Sequence, residues 1–143
     1  MNDKWGRRLF KTGACFLILM GLVHSVSLFE KLAPANDTER VLIGLMDSYK
    51  FNLMGSQRSV SDLFNGFSIS FMVASLGFGV FDIFLWAERS SLLKRVALAN
   101  ILWLAVMVGV SLHYFFAAPS SFLIVALLIF IFAWMKLPVE KVS

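Results

Sequence analysis

The sequence predicts an all-α integral membrane protein, a four-helix bundle with a short extracytoplasmic amphipathic helix between its first two spans. Three observations lead there. Hydrophobic residues make up 59% of the 143 residues and charged residues only 15%, where a soluble domain has about a quarter of its residues charged. Mean hydropathy is +0.79. The apolar residues also come in four blocks, 13–29, 63–86, 96–116 and 120–135, interrupted by a single formal charge, Asp82.

A helix needs roughly 20 apolar residues to cross the hydrocarbon core. Within lipid every backbone N–H and C=O needs an internal partner, which a helix supplies. The runs are continuous rather than alternating, which disfavours β-strand spans. Spans are therefore expected at about 12–30, 62–87, 95–117 and 119–137, in one domain over residues 1–143 with no separate soluble part.

The first block starts like a signal peptide: basic residues, an apolar run, then Ser25-Val26-Ser27. His24 interrupts the run just before those small residues, so the block reads as a retained span. Cys15 is the only cysteine, which excludes an internal disulfide or a dithiol pair. It reads as a small buried apolar residue.

The connection from Glu30 to Ser61 is the longest, and a structureless loop of that length is unusual in a small domain. Asn36 or Asp37 is placed to cap a short helix, with Glu39 in its first turn. Val41, Leu45 and Tyr49 follow at i+4 spacing, beside Leu42 and Met46, as an amphipathic stripe. Gly55 permits a sharp turn. Ser59-x-x-Asp62 has the form of a capping box, with Asp in place of Glu, at the start of the second span. Arg58 stands beside it, with Asp62, Glu30 or an anionic group as candidate partners.

The second span carries Asn65, Ser68, Met72, Ser75, Gly79 and Asp82 at alternating spacings of three and four. Small and polar residues face protein in a membrane bundle, so this stripe is its inner face. Gly13, Gly21, His24, Ser25 and Leu28 fall near one face of the first span. Asn100, Met107, Ser111 and Tyr114 do so more loosely on the third. The fourth is nearly uniform and reads as the most lipid-exposed. Asp82 is costly inside a span. A polar clasp with Asn100 answers that cost, with Lys94 and Arg95 also within reach. His24 reads as an interhelical hydrogen-bonding group. His24 with His113 as a bis-histidine haem site is a weaker reading, and the chain lacks the spacing of a zinc site. There is no nucleophile–base pair and no Gly-rich phosphate loop, so no catalytic residue is assigned.

Lys4, Arg7, Arg8, Lys11, Arg89, Lys94, Arg95, Lys136 and Lys141 fall on one side of the four spans. The positive-inside rule places that side, with both termini, in the cytoplasm. Trp86 and Trp134 then stand at the inner interface and Tyr114 at the outer one. The net charge of +4 is explained by these flanks and requires no nucleic acid.

Three segments, "GLVHS" at 21–25, "FNLMGSQRSVSDLFNGFSIS" at 51–70 and "HYFFAAPSSF" at 113–122, resemble a family of small bacterial four-helix membrane proteins of unknown function, first catalogued from spirochaete genomes. The resemblance touches all four spans. It implies that Phe51, Met54, Gly55, Arg58, Ser59, Asp62 and Gly66 belong to one motif. The chain departs at His113, where the family usually has Arg. The family brings no activity with it.

The functional expectation is non-catalytic binding of a lipid or quinone-like amphipath in an outward-facing pocket lined by His24, Arg58, Asp62, Asn65 and Ser68, or service as an accessory subunit of a membrane complex. The alternative is an intramembrane enzyme or small transporter using His24, Arg58 and Asp62. The expected partners are membrane lipids, a hydrophobic or anionic amphipathic ligand, and a membrane protein.

Overall fold

The computed structural model describes residues 3–29 and 33–138. The described residues form five α-helices and one β-hairpin. These are α1 (Asp3–Ser27), α2 (Asp37–Ser48), β1 (Lys50–Leu53), β2 (Ser56–Ser59), α3 (Val60–Leu85), α4 (Ser90–Tyr114) and α5 (Ala117–Lys136). The class is all-α, and α1, α3, α4 and α5 are long and apolar enough to cross a membrane. The chain divides into two compact units, Met1–Met20 with Ser75–Ser143, and Gly21–Ala74.

In the first unit the buried positions recur at spacings of three and four: Leu93, Ala97, Asn100 and Leu104 on α4, and Leu123, Ala126, Phe130 and Ala133 on α5. That period keeps one stripe of each helix turned to its neighbours, as in a left-handed bundle. From α1 come Phe10, Ala14 and Leu17. Phe10 meets Phe130 edge-on with centroids 5.8 Å apart. Glycine sets the closest approaches. A Cβ on Gly13 would lie 2.8 Å from the Phe130 ring, and one on Gly79 would lie 2.7 Å from the Ala14 carbonyl oxygen and 2.9 Å from the Ile18 backbone nitrogen. The α1 and α3 backbones touch at Gly79, which is what a small residue permits.

Three expectations change here. The helix α1 begins at Asp3 rather than near residue 12. Its first turns are held by side chains: Arg7 Nη2 donates to the Trp86 carbonyl and Nη1 to the Glu88 carbonyl, both at 2.7 Å. Ser90 Oγ donates to Asp3 at 2.6 Å, and Lys11 lies 4.3 Å over the Trp86 ring. Arg7 thereby satisfies carbonyls just past the end of α3 that no helical amide reaches. The fourth apolar block, α5, is not the most exposed of the four. That is α3, which has the smallest buried share. Uniform hydrophobicity hid the docking stripe of α5, whose Ala126 and Ala133 make room for its neighbours. Cys15 is exposed, because it falls one residue off the Phe10–Ala14–Leu17 row.

Ser111 and Ser120 join α4 to α5 in the first unit, with their hydroxyl oxygens 2.9 Å apart. Ser120 directs its proton to the Phe116 carbonyl at 3.1 Å, so Ser111 is the donor of the pair. Lys94 Nζ donates to the Leu137 carbonyl at 2.7 Å and lies 5.0 Å over the Trp134 ring.

The second unit contains α2 and the hairpin. Asn36 caps α2 by accepting from the Glu39 amide at 2.9 Å, and Glu39 reaches back to the Ala35 amide at 2.7 Å. Val41, Leu42, Leu45 and Tyr49 are exposed. The hairpin pairs Lys50 with Ser59 through to Leu53 with Ser56. Its turn is Met54-Gly55, with φ of 49° and 90°, the two positive values of a type I′ turn. Asn52 Oδ1 accepts from the Gly55 amide at 2.8 Å. This hairpin was not legible as strands, because "KFNL" and "SQRS" lack an apolar face long enough to show alternation.

Candidate functional site

Ser59 and Asp62 cap α3 reciprocally. The Ser59 amide donates to Asp62 Oδ2 at 2.9 Å and the Asp62 amide donates to Ser59 Oγ at 3.1 Å. Two otherwise unpaired amides are satisfied, and the carboxylate sits at the positive end of the helix dipole. Ser61 Oγ donates to Asp47, tying the end of α2 to the start of α3. The hairpin, α2 and this cap thus hold the first turn of α3 from three sides.

An open groove of about 540 Å³ runs down from that turn, lined by Arg58, Asp62, Leu63, Asn65, Gly66, Phe67, Ile69 and Ser70. Asp62, Asn65, Gly66, Ile69 and Ser70 recur at i, i+3, i+4, i+7 and i+8, so they share one face of the helix. Arg58 and Asp62 stand at its upper end, and Phe67 and Ile69 follow one to two turns further along α3. Gly66 leaves open space where a Cβ would stand. Ser70 returns its hydroxyl to the Gly66 carbonyl at 2.8 Å and so adds no free donor to the floor.

Arg58 Nη1 donates to the Gln57 carbonyl at 3.0 Å. Among the described residues Arg58 has no ion pair, so it does not bridge Asp62, and the pairing with Glu30 lies outside those residues. A guanidinium carries five N–H donors, so most of those on Arg58 are free. Lys50 and Arg58 both lie within coulombic range of Asp62. Asp47, held by Ser61, adds a second carboxylate at this end, and Arg58 is the cation that lines the groove itself.

The five residues expected to line one pocket are not all brought together. Arg58, Asp62 and Asn65 line the groove, whereas Ser68 and His24 do not. Ser68 and Phe71 turn toward α1. The His24 ring lies against the Ser68 backbone and meets Phe71 edge-on, with centroids 5.0 Å apart. His24 Nε2 is buried with no hydrogen-bond partner among the described residues, and the ring's polar neighbour across the helix pair is the Ser68 backbone. His113 is exposed and stacks edge-on against Tyr114.

The inner stripe of α3 becomes more buried along its length. Asn65 is exposed, Ser68 and Met72 are half-buried, and Ser75, Gly79 and Asp82 are buried. At the buried end Asn100 Nδ2 donates to Asp82 Oδ2 at 2.7 Å. Lys94 is turned to Leu137 and Trp134 instead. The groove residues Leu63, Gly66, Phe67, Ile69 and Ser70 were missed by the sequence reading. Gly66 and Ile69 are the i+4 and i+7 neighbours of Asp62 and Ser70 its i+8 neighbour, but apart from Asn65 the polar stripe of α3 marks another face.

No protein-family model matches the chain, and no curated protein or solved structure does either.

Proposed function

We propose that this chain is a multi-pass protein of a bacterial inner membrane that binds, without catalysis, an anionic amphipath of the lipid or quinone-like class in the groove at the start of α3. The observation that carries this reading is the lining of the groove: a guanidinium with free donors beside the first turn of α3, and Phe67 and Ile69 one to two turns further along. A charged head would take the fork of Arg58, and an apolar tail would lie along the floor. With both termini cytoplasmic, the groove opens on the outer face, and α2 rests its exposed apolar stripe in the outer interface.

The same reading gives the family resemblance a physical content. Of the motif it rests on, Met54 and Gly55 make the hairpin turn, Ser59 and Asp62 make the cap, and Arg58 and Gly66 line the groove. We propose membership of that family of small bacterial four-helix membrane proteins on this basis.

The test has two arms. The chain is purified in mild detergent and its bound amphipaths are identified by mass spectrometry. Retention of an anionic species is expected, and a preparation that carries only neutral lipid refutes the binding. On a Cys15→Ala background, a membrane-impermeant thiol reagent should label Asp37→Cys and Asp47→Cys in intact cells but not Ser91→Cys. Labelling of Ser91→Cys alone reverses the orientation.

A further inference from the structure

The end of the first unit where α1 begins carries two classes of cation. Arg7, Lys11 and Lys94 are engaged with carbonyls or indole rings. Lys4, Arg8, Arg89, Arg95 and Lys136 are exposed, and none has a hydrogen-bonded or ion-paired side chain among the described residues. They belong to one end of the unit. A Cβ on Gly6 would lie 2.9 Å from the backbone of Lys136 and Leu137, and Arg7 crosses from α1 to the Trp86–Ser90 connection.

Lys4 and Arg8 stand at i and i+4 on the exposed side of α1, and Lys11 continues the row. Like charges at that spacing repel and weaken a helix, yet α1 is helical through all three. The acids at this end are outnumbered: among the described residues Asp3 and Glu88 face Lys4, Arg7, Arg8, Lys11, Arg89, Lys94, Arg95 and Lys136. Trp5 lies between the two cations with 56% of its surface exposed. An indole beside free cations suits the level of lipid headgroups, where its apolar body and polar N–H are both satisfied.

We propose that this end binds the phosphate of an anionic phospholipid through Lys4 and Arg8, with Arg89, Arg95 and Lys136 drawing further anionic headgroups to the same surface. The counter-charge that the protein lacks comes from the lipid. Arg8 offers a planar fork to the phosphodiester and Lys4 a point charge. Trp5 lies along the glycerol and upper acyl region. The proposal rests on the membrane reading above but not on the Arg58 groove, which lies in the other unit.

The experiment uses the full chain in detergent, titrated with phosphatidylglycerol or phosphatidylcholine and read by native mass spectrometry. The wild type should retain phosphatidylglycerol over phosphatidylcholine. Each cation near an anionic surface is worth about a fivefold gain in partitioning, so Lys4→Gln/Arg8→Gln should reduce retention by roughly tenfold or more. Helix content by circular dichroism should be unchanged. Should that pair lose helicity, Arg89→Gln/Arg95→Gln reads the same effect from α4. Arg58→Gln should remove only what the groove contributes to retention and leave a preference for phosphatidylglycerol that Lys4→Gln/Arg8→Gln abolishes. Equal retention of both lipids by the wild type overturns the proposal, as does full retention by Lys4→Gln/Arg8→Gln. Loss of retention in Arg58→Gln alone assigns the lipid to the groove and overturns this site while leaving the groove reading standing. If inorganic phosphate displaces the lipid completely, the occupant is free phosphate and the lipid assignment fails.

Discussion

Asn100 and Asp82 meet in the apolar core of the first unit. Asn100 Nδ2 donates to Asp82 Oδ2 at 2.7 Å, with 4% and 1% of the respective residues exposed. A pair this dry is asymmetric in what its loss costs. Removing one partner strands the other, whereas removing both leaves an apolar contact. Asp82→Asn keeps an acceptor and should be tolerated. Asp82→Leu should cost about 0.5–2 kcal/mol, the range for interhelical polar contacts, and Asp82→Leu/Asn100→Leu should recover much of that. Thermal unfolding in detergent checks all three. A melting temperature that Asp82→Leu leaves unchanged would rule out a stabilising clasp.

Glycine positions offer a test of opposite signs on one helix. Gly79 meets the α1 backbone, with 2.7 Å between a built Cβ and the Ala14 carbonyl oxygen. Gly77 faces open space. Gly79→Ala should therefore push α1 and α3 apart and destabilise by about 1–3 kcal/mol. Gly77→Ala should gain up to about 1 kcal/mol from helix propensity. Thermal shifts of the same sign at both positions would contradict the close crossing.

Much of this architecture is readable from residue types. The four apolar blocks mark the four long helices because length and continuity leave few other structures for them. Ser59 and Asp62 mark the start of α3 because a reciprocal cap needs only two side chains three residues apart. Asp82 and Asn100 stand out because each is alone in an apolar run. What was not legible depends on surfaces. The stripe of α5 is written in size rather than polarity, Ala126 and Ala133 among larger residues. The His24 environment depends on which ring lies across from it, Phe71, and no local pattern specifies that. The groove is missed for a further reason. It is made by what Gly66 omits, and an absent side chain is noticed only once its neighbours are placed.

The hairpin turn is a case where the side chain and the backbone disagree. Met54 has φ of 49° and is fully exposed, so nothing it packs against offsets the left-handed conformation. Asn adopts that region more readily and is favoured at the first position of a type I′ turn. Met54→Asn should stabilise the hairpin by up to about 1 kcal/mol. Gly55→Ala, at φ of 90°, should weaken it by about the same amount or more. Hydrogen exchange at the Leu53 and Ser56 amides reads the local change. Slower exchange in Gly55→Ala than in the wild type would show that the turn is not type I′.

The cap and the groove share Asp62 but separate at their other members. Ser59 is 2% exposed and its hydroxyl accepts from the Asp62 amide, so Ser59→Ala removes a cap at a cost of about 0.5–2 kcal/mol. Ser59 does not line the groove itself and meets it only through Asp62. Arg58 is the converse. Its one hydrogen bond within the described residues goes to the adjacent Gln57 carbonyl, and it is exposed, so folding should depend on it little. Arg58→Lys keeps the charge and loses the planar fork. Under the binding reading, Arg58→Lys should lower retention of the anionic amphipath with the melting temperature of the lipid-free protein nearly unchanged. Arg58→Gln should lower retention further, because it also removes the charge. Ser59→Ala should do the reverse, lowering stability while retention, measured well below the melting temperature, persists. The two readouts separate a helix start from a binding site. If both Arg58 variants lose stability and neither changes the bound species, the segment from Tyr49 to Phe64 serves only to begin α3.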